Sequence, residues 1–348
     1  MIHERNLYIL GAGSTIGHSN GIYPDIYNIF KKSNEYNITS TKNNKIRNDY
    51  KDLNIYLRDT FNYNLVSNGL LDFEKVFTMI DIEEEKDPTT FSKFKEQLLM
   101  MLCQLFIKLK DYINEDENSD YDLFISRLYG QDSVLTFNWD VLLDDALGRL
   151  YHLKQYPFEK TKNTHRKLTN LHHYQYFVHS AFHDFQEHHY SPNTLTGVYI
   201  KLHGSVDWKI CKNPMCPVKD RPIPTLYPLK NNKCFQCFEI CKTLVIPPTL
   251  KKSINEVPFI RNQWNIAVEE IRQVSRLIIW GYKLPSTDFY SEWLLMKVKH
   301  NKTLNEIVLI NPEEKDRTKL KKLFESLSIT ENILEYNYYK DFLAKKPA

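Results

Sequence analysis

Short apolar runs recur along the chain: LYIL (7–10), SVLTF (133–137), VYIKL (198–202), TLVI (243–246), RLIIW (276–280) and EIVLI (306–310). Several are apolar throughout, the pattern of strands covered on both faces of a parallel sheet. Each runs into a polar or Gly/Pro turn, where an open α/β sheet receives its ligand. The spacing predicts an α/β fold. Between the first two runs, residues 30–130 form an insertion that is Asn/Lys-rich at first and then mostly helical. LDFEKVFTMI (71–80) has apolar residues at helical spacing, and a second helix is predicted near 91–113. The acidic patch Glu83–Glu85, ending at Pro88, predicts a solvated turn. A polar excursion covers about 150–196, and a cysteine-rich one, 209–243, hangs between two core strands. With no internal repeat and no linker to an effector domain, residues 1–348 read as a single domain.

At 42% hydrophobic residues, the 348-residue chain can fill a sizeable core. Lys and Arg number 46 against 43 Asp and Glu. This near balance argues against a protein that coats polyanions and leaves room only for a local basic patch, so nucleic acid is not expected directly. The longest apolar stretch, LLMMLCQLFIKL (98–109), carries Gln104 and Lys108 and is too short to span a bilayer. It predicts a buried helix. The N-terminus leads through a charged segment straight into a strand, so no secretory leader is expected and the location expected is cytoplasmic.

The first run ends in a glycine turn: Gly11, Gly13 and Gly17 in GAGSTIG. Glycines let backbone approach a pyrophosphate, and a following helix start supplies amide donors. A plain tight turn would leave the same trace. A dehydrogenase would also need an acidic residue ending its second strand. Asp25 and Glu35 follow the turn, but no apolar run leads to either. Two further strand ends carry chemistry. TFNWD places Asn138 and Asp140 past the second run, and KLHGS places His203 and Gly204 past the third. A neutral imidazole can take a proton from a hydroxyl or water, an asparagine can orient water or an amide, and a carboxylate can accept from a carboxamide. Asp140 also fits a helix N-cap, and His203 a satisfied core histidine.

Five of the six cysteines lie between Cys211 and Cys241. Cys211-x4-Cys216 followed by Cys234-x2-Cys237 suits a closed tetrahedral zinc site, with Cys241 as a spare that could replace one ligand. The histidine-rich stretch 171–189, with His179 and His183 four apart, offers no obvious carboxylate or third ligand and reads as a polar aromatic surface.

Taken in order, GAGST, TFNWD, KLHGS, the paired cysteines, GYKLP (281–285) and INP (310–312) resemble the sirtuin family over residues 6–312. The resemblance implies a Rossmann-like NAD-binding core with a zinc module. It implies NAD phosphate contacts at Gly11, Ala12, Gly13, Ser14 and Thr15. It places Asn138 and Asp140 in the nicotinamide pocket, makes His203 the essential base, and assigns Gly281, Tyr282 and Asn311 to the phosphates and ribose. The chain departs from the lysine deacylases: its glycine turn is longer, YPDIY (23–27) has no arginine, and the Phe-Gly-Glu segment after the zinc module is replaced by CKTLVIPPTLKKS (241–253). Pro247 and Pro248 have no amide hydrogen to offer a peptide strand. Pro285, Asp288 and the helical insertion resemble the bacterial sirtuin-like defence proteins that consume NAD. The resemblance therefore implies an NAD+ hydrolase of antiviral defence, with a lysine deacylase as the alternative. It also implies homo-oligomers and control by a partner that acts as a sensor or ATPase, with no membrane association.

Overall fold

The computed structural model describes residues 5–67, 69–113, 119–129, 131–147, 197–220, 222–224, 233–247, 254, 257–285, 287–329 and 332–345. The polar excursion at 150–196 and the histidine-rich stretch lie outside the described residues.

The first strand, β1 (Asn6–Leu10), is the centre of the molecule. It pairs in parallel with β2 (Ser133–Thr136) on one side and β7 (Arg276–Trp280) on the other. The sheet continues outward to β3 (Tyr199–Lys201) beyond β2, and to β8 (Glu306–Ile310) and β9 (Asn332–Tyr336) beyond β7. Its order is β3-β2-β1-β7-β8-β9, all parallel, and chain direction across the sheet reverses between β1 and β7. Alternate residues divide two cores. Tyr8, Leu10, Val134, Ile278, Trp280 and Val308 face one side, and Leu7, Ile9, Leu135, Leu277, Ile279 and Ile307 face the other. Since both faces are buried, the period-two alternation is hidden in sequence and the runs read as continuously apolar.

The insertion covers the first face with α2 (Ile29–Glu35), α3 (Lys51–Phe61), α4 (Phe73–Glu84), α5 (Pro88–Lys110) and α6 (Asp120–Ser126). The C-terminal helix α10 (Tyr339–Lys345) joins them there, with Tyr339 stacked on Trp280 at 4.3 Å. The second face is covered by α7 (Pro258–Ile271), α8 (Phe289–Met296) and α9 (Glu314–Ser326). The acidic patch is a turn only in its last part, at Glu85 and Lys86. Glu83 and Glu84 close α4, and Asp87 caps α5 through Thr90 N at 3.1 Å, with Pro88 at its first position. Lys95 of α5 makes the helical ending tolerable by reaching Asp81 at 2.7 Å and Glu84 at 2.9 Å.

TLVI does not join the parallel sheet. It lies in β6 (Cys241–Val245), antiparallel to β4 (Gly204–Cys211), in a second sheet of order β5-β4-β6 with β5 at Ile223–Pro224. The cysteine excursion therefore hangs between strands of this small sheet rather than between core strands. Among the described residues no helix is long and apolar enough to cross a membrane.

Candidate functional site

The β1–α1 turn, leading into α1 (Ala12–His18), and the loop after β7 meet backbone to backbone where the sheet order reverses. Gly11 N donates to Trp280 O at 2.9 Å, Gly13 N to Gly281 O at 2.8 Å, and Gly281 N to Ile310 O at 2.8 Å. A Cβ on Gly11 would lie 2.6 Å from Tyr282 Cα, and one on Gly13 2.8 Å from Gly281 Cα. Gly281 is the tightest: φ is +68°, and a Cβ would sit 2.1 Å from Ser14 N. Gly17 is different, because its Cβ would meet only Asp120 Oδ2, at 3.9 Å. The first two glycines of the motif thus permit two loops to touch, and the third is spatially dispensable. Ala12 faces solvent on this turn, while Ser14 and Thr15 are buried.

Ser14 and Thr15 enter a closed polar network instead of lining the surface. Thr15 Oγ1 donates to Asp140 Oδ2 at 2.8 Å and lies 2.9 Å from the Tyr121 hydroxyl. Ser14 Oγ donates to Gly11 O at 2.8 Å and lies 3.0 Å from the same hydroxyl. The Asn138 amide donates to Gly11 O at 3.1 Å and to Thr15 Oγ1 at 3.0 Å. Asp140 Oδ1 accepts from Leu142 N at 3.0 Å, so the carboxylate serves the helical turn at 142–147 as well as the network. Burial pushes the Asp140 carboxyl above the usual carboxylate range, opposed by the Lys201 ammonium and the Thr15 hydroxyl. Tyr121, reaching in from α6, is pushed far above the ordinary phenol value by the same burial, then by Asp140. It is the hydroxyl of a phenol held neutral.

Lys201 closes the network from below. Its ammonium donates to Asp140 O and pairs with Asp144 Oδ2 at 2.7 Å. Burial works against the charge, but Asp144, Asp207 and Asp140 outweigh it and hold the lysine above its ordinary pKa. Asp207 is pushed up to about 6 by burial, with Asp144 adding to the shift and Lys201 opposing it.

His203 lies in the turn between β3 and β4, 2% exposed. Its ring lies 5.2 Å from Phe137 and 6.0 Å from Trp264, and its Nε2 is 3.6 Å from Asp288 Oδ2. Asp288 caps α8 through Ser291 N at 3.1 Å and accepts from the Tyr282 hydroxyl at 3.3 Å. Gly204 at φ +73° lets the chain turn against β6, where a Cβ would meet Leu244 O at 2.1 Å. Asn311 is spent on protein: its Oδ1 accepts from Glu313 N at 3.0 Å, and its amide reaches toward Tyr282 O at 3.5 Å. All the predicted residues of this group therefore gather at the carboxyl edge of the large sheet, around the reversal point. Gly11, Gly13, Gly281, Ser14, Thr15, Asn138, Asp140 and Asn311 are bonded to one another or to neighbouring backbone.

Sequence reading missed Tyr121, Lys201 and Asp144. Lys201 left a usable trace, being a lone cation inside an apolar run, which demands a buried carboxylate. Tyr121 left none, since the two hydroxyls it meets, those of Ser14 and Thr15, lie more than a hundred positions away.

The cysteine module builds a second centre. The Sγ atoms of Cys211, Cys216, Cys234 and Cys237 all lie within 4.8 Å of one another, with Cys211–Cys237 at 3.4 Å and Cys216–Cys234 at 3.8 Å. Four sulfurs about 2.3 Å from a tetrahedral ion would stand about 3.8 Å apart, so the set fits a metal ion. Backbone N–H groups of Asn213 and Gln236 point at Cys211 and Cys234 Sγ, each at 3.4 Å. Burial opposes the Cys234 thiolate, but the N–H groups of Cys237 and Gln236 outweigh it and draw that thiol down to about 7. Cys241 is outside the group. It pairs across β4–β6 with Cys211, and burial pushes its thiol up to about 11.

Comparison with protein-family models finds none that matches the chain, and no curated protein matches it.

Proposed function

We infer that the protein is an NAD+ hydrolase that releases nicotinamide and ADP-ribose. The observation that carries this reading is the junction of the β1–α1 turn with Asn138, Asp140 and His203 at the reversal point of a sheet ordered 3-2-1-4-5-6. Dinucleotide-binding sheets have this order and take their ligand there. In the proposed reaction the C1′–N bond of the nicotinamide ribose breaks, nicotinamide leaves with the bonding pair, and a water oxygen bonds to C1′. His203 accepts the proton, and the buried Asp288 carboxylate stabilises the resulting imidazolium. Asn138 and Asp140 hold the carboxamide and water, and the Tyr121 network keeps them in place. The four cysteines would hold a structural zinc, which would tie the end of β4 at Cys211 to the turns that carry Cys216, Cys234 and Cys237.

Water is favoured over a peptide as acceptor because the insertion closes on the small sheet. Helix α5 reaches β4 and β6 through Lys212–Glu96 at 2.6 Å and Cys103–Thr243 at 3.9 Å. Unrestrained NAD+ loss is toxic to its host, and we place control in self-assembly or in a partner protein, within a defence against viruses. The cysteine centre favours a second reading, an NAD-dependent lysine deacylase.

The test is incubation with NAD+, with and without an acetylated peptide, following products by chromatography. Peptide-independent ADP-ribose is expected, lost by more than about a hundredfold in Asn138→Ala and His203→Ala. Nicotinamide release only with peptide, accompanied by O-acetyl-ADP-ribose, would establish the deacylase instead.

A further inference from the structure

The outer end of the cysteine module combines three features that its fold does not explain. Met215, Phe235, Phe238 and Ile240 are 87%, 64%, 72% and 58% exposed, although they flank a centre whose cysteines are buried or nearly so. Phe238 is also held at φ +61°, the left-handed region where a glycine sits freely and a bulky side chain is strained. A phenylalanine that is both strained and in water contributes nothing to this chain's own packing, and such outliers concentrate where a surface has work to do. The third feature is charge. The stretch 209–243 holds seven Lys or Arg against Asp220 and Glu239, a net +5 in a chain whose total is +3. The rest of the sequence is therefore slightly acidic in sum; of the seven, Lys209 and Lys212 turn to Thr243 and Glu96.

The geometry brings aromatic and cationic groups to one place. Phe238 N donates to Cys234 O at 2.9 Å and Cys234 N to Glu239 O at 2.7 Å, forming a tight turn with Phe235 and Phe238 on it. Lys233 bridges Ile240 at the base of that turn. In the facing turn Cys216 N donates to Asn213 O and Lys219 N to Cys216 O, both at 3.1 Å. Both turns converge on the same four sulfurs, so Met215 and Lys219 belong to the same small module as the phenylalanines. Lys219, Lys233 and Lys242 are exposed.

We propose that this knuckle is a docking site for single-stranded nucleic acid, with bases stacked on Phe235 and Phe238 and phosphates met by Lys219 and Lys233. Aromatic faces interleaved with cations suit unpaired strands, because every base has a face to stack and every link a charge. The site is independent of the NAD chemistry. It also revises the expectation from overall composition, since a chain of balanced charge can carry its whole cationic surplus in one module.

The test is fluorescence anisotropy of the full chain with labelled oligothymidine and oligouridine of about 20 nucleotides, from about 50 to about 200 mM salt. Saturable binding that weakens steeply with salt is expected. Phe235→Ala and Phe238→Gly should each weaken it by roughly tenfold with zinc content unchanged. Phe238→Gly also relieves the backbone, so its melting temperature should hold or rise while binding falls. Lys219→Glu and Lys233→Glu together should flatten the log–log salt slope by about 1.4. Absence of saturable binding at the lowest salt, or equal affinity in wild type and the Phe variants, would overturn the proposal. If the Phe variants instead convert an oligomer to a monomer in sedimentation, with oligonucleotide binding unchanged, the knuckle is a self-association face. If an acidic peptide displaces the oligonucleotide at equal concentration, the face is a protein-docking one.

Discussion

The carboxyl edge of the large sheet and the cysteine module solve the same problem in opposite ways. At the edge, polar groups go inside: Ser14, Thr15, Asn138, Asp140 and Lys201 are buried, and each is matched by a neighbour. In the module, sulfurs occupy the centre and apolar side chains face water. A region with a large apolar core around it can bury a polar network, because burial of the surroundings carries the desolvation cost. A region too small for a core can be held by metal–sulfur bonds instead, for which these four clustered cysteines are suited, and its hydrophobic side chains are then released for use outside.

The difference breaks most sharply at glycine. Gly281→Ala should cost on the order of 4 kcal/mol, or abolish soluble expression, because the new Cβ meets backbone. Gly17→Ala, in the same motif, should stabilise by about 0.5 kcal/mol, since it sits inside α1 with space around it. Urea denaturation of both variants checks the pair, and equal effects would dissolve the distinction. Metal removal should act on the other region alone. Chelation should make Cys211, Cys216, Cys234 and Cys237 reactive to a thiol reagent while the circular dichroism of the large sheet persists. Tyr121→Phe removes one hydroxyl shared by Ser14 and Thr15 and should cost about 1–2 kcal/mol in the same denaturation.

A pH scan sharpens the electrostatic side. Asp207 ionises at about 6 in the fold, facing Lys201 and Asp144, whereas a free aspartate ionises near about 4. The folded state therefore holds that proton more tightly. Its contribution to stability is complete below about pH 4 and is lost as pH rises through about 6. Melting temperature should fall between about pH 4 and 6 relative to Asp207→Asn, in which that component is absent. Phe238→Gly is expected to gain about 1 kcal/mol from relief of the left-handed backbone.

Legibility in sequence followed burial. Strands β1, β2, β3, β7 and β8 announce themselves because both of their faces are covered. β9 does not: NILEY is part-exposed along its length at the sheet edge and reads as polar. β4 was hidden because GSVDWKIC mixes buried and partly exposed positions and follows at once on the His-Gly turn. Site residues that directly follow an apolar run, namely Gly11, Asn138, Asp140 and His203, were legible from local position. The pairing of His203 with Asp288 was not, since β3 and the α8 cap meet only through tertiary packing. The cysteine set was legible in full, because ligand spacing is itself a local property.

The central place of β1 also sets a timetable for synthesis. β1 is made before either of its neighbours: it pairs on one side with 133–136, but its other neighbour is 276–280. Until synthesis has passed β7, the half-sheet presents Leu7–Leu10 as an open, apolar edge. Such edges recruit other strands. Chains cut short before β7 should consequently be sticky rather than merely inactive, and full-length yield should respond to chaperone supply more than to the stability of the finished protein.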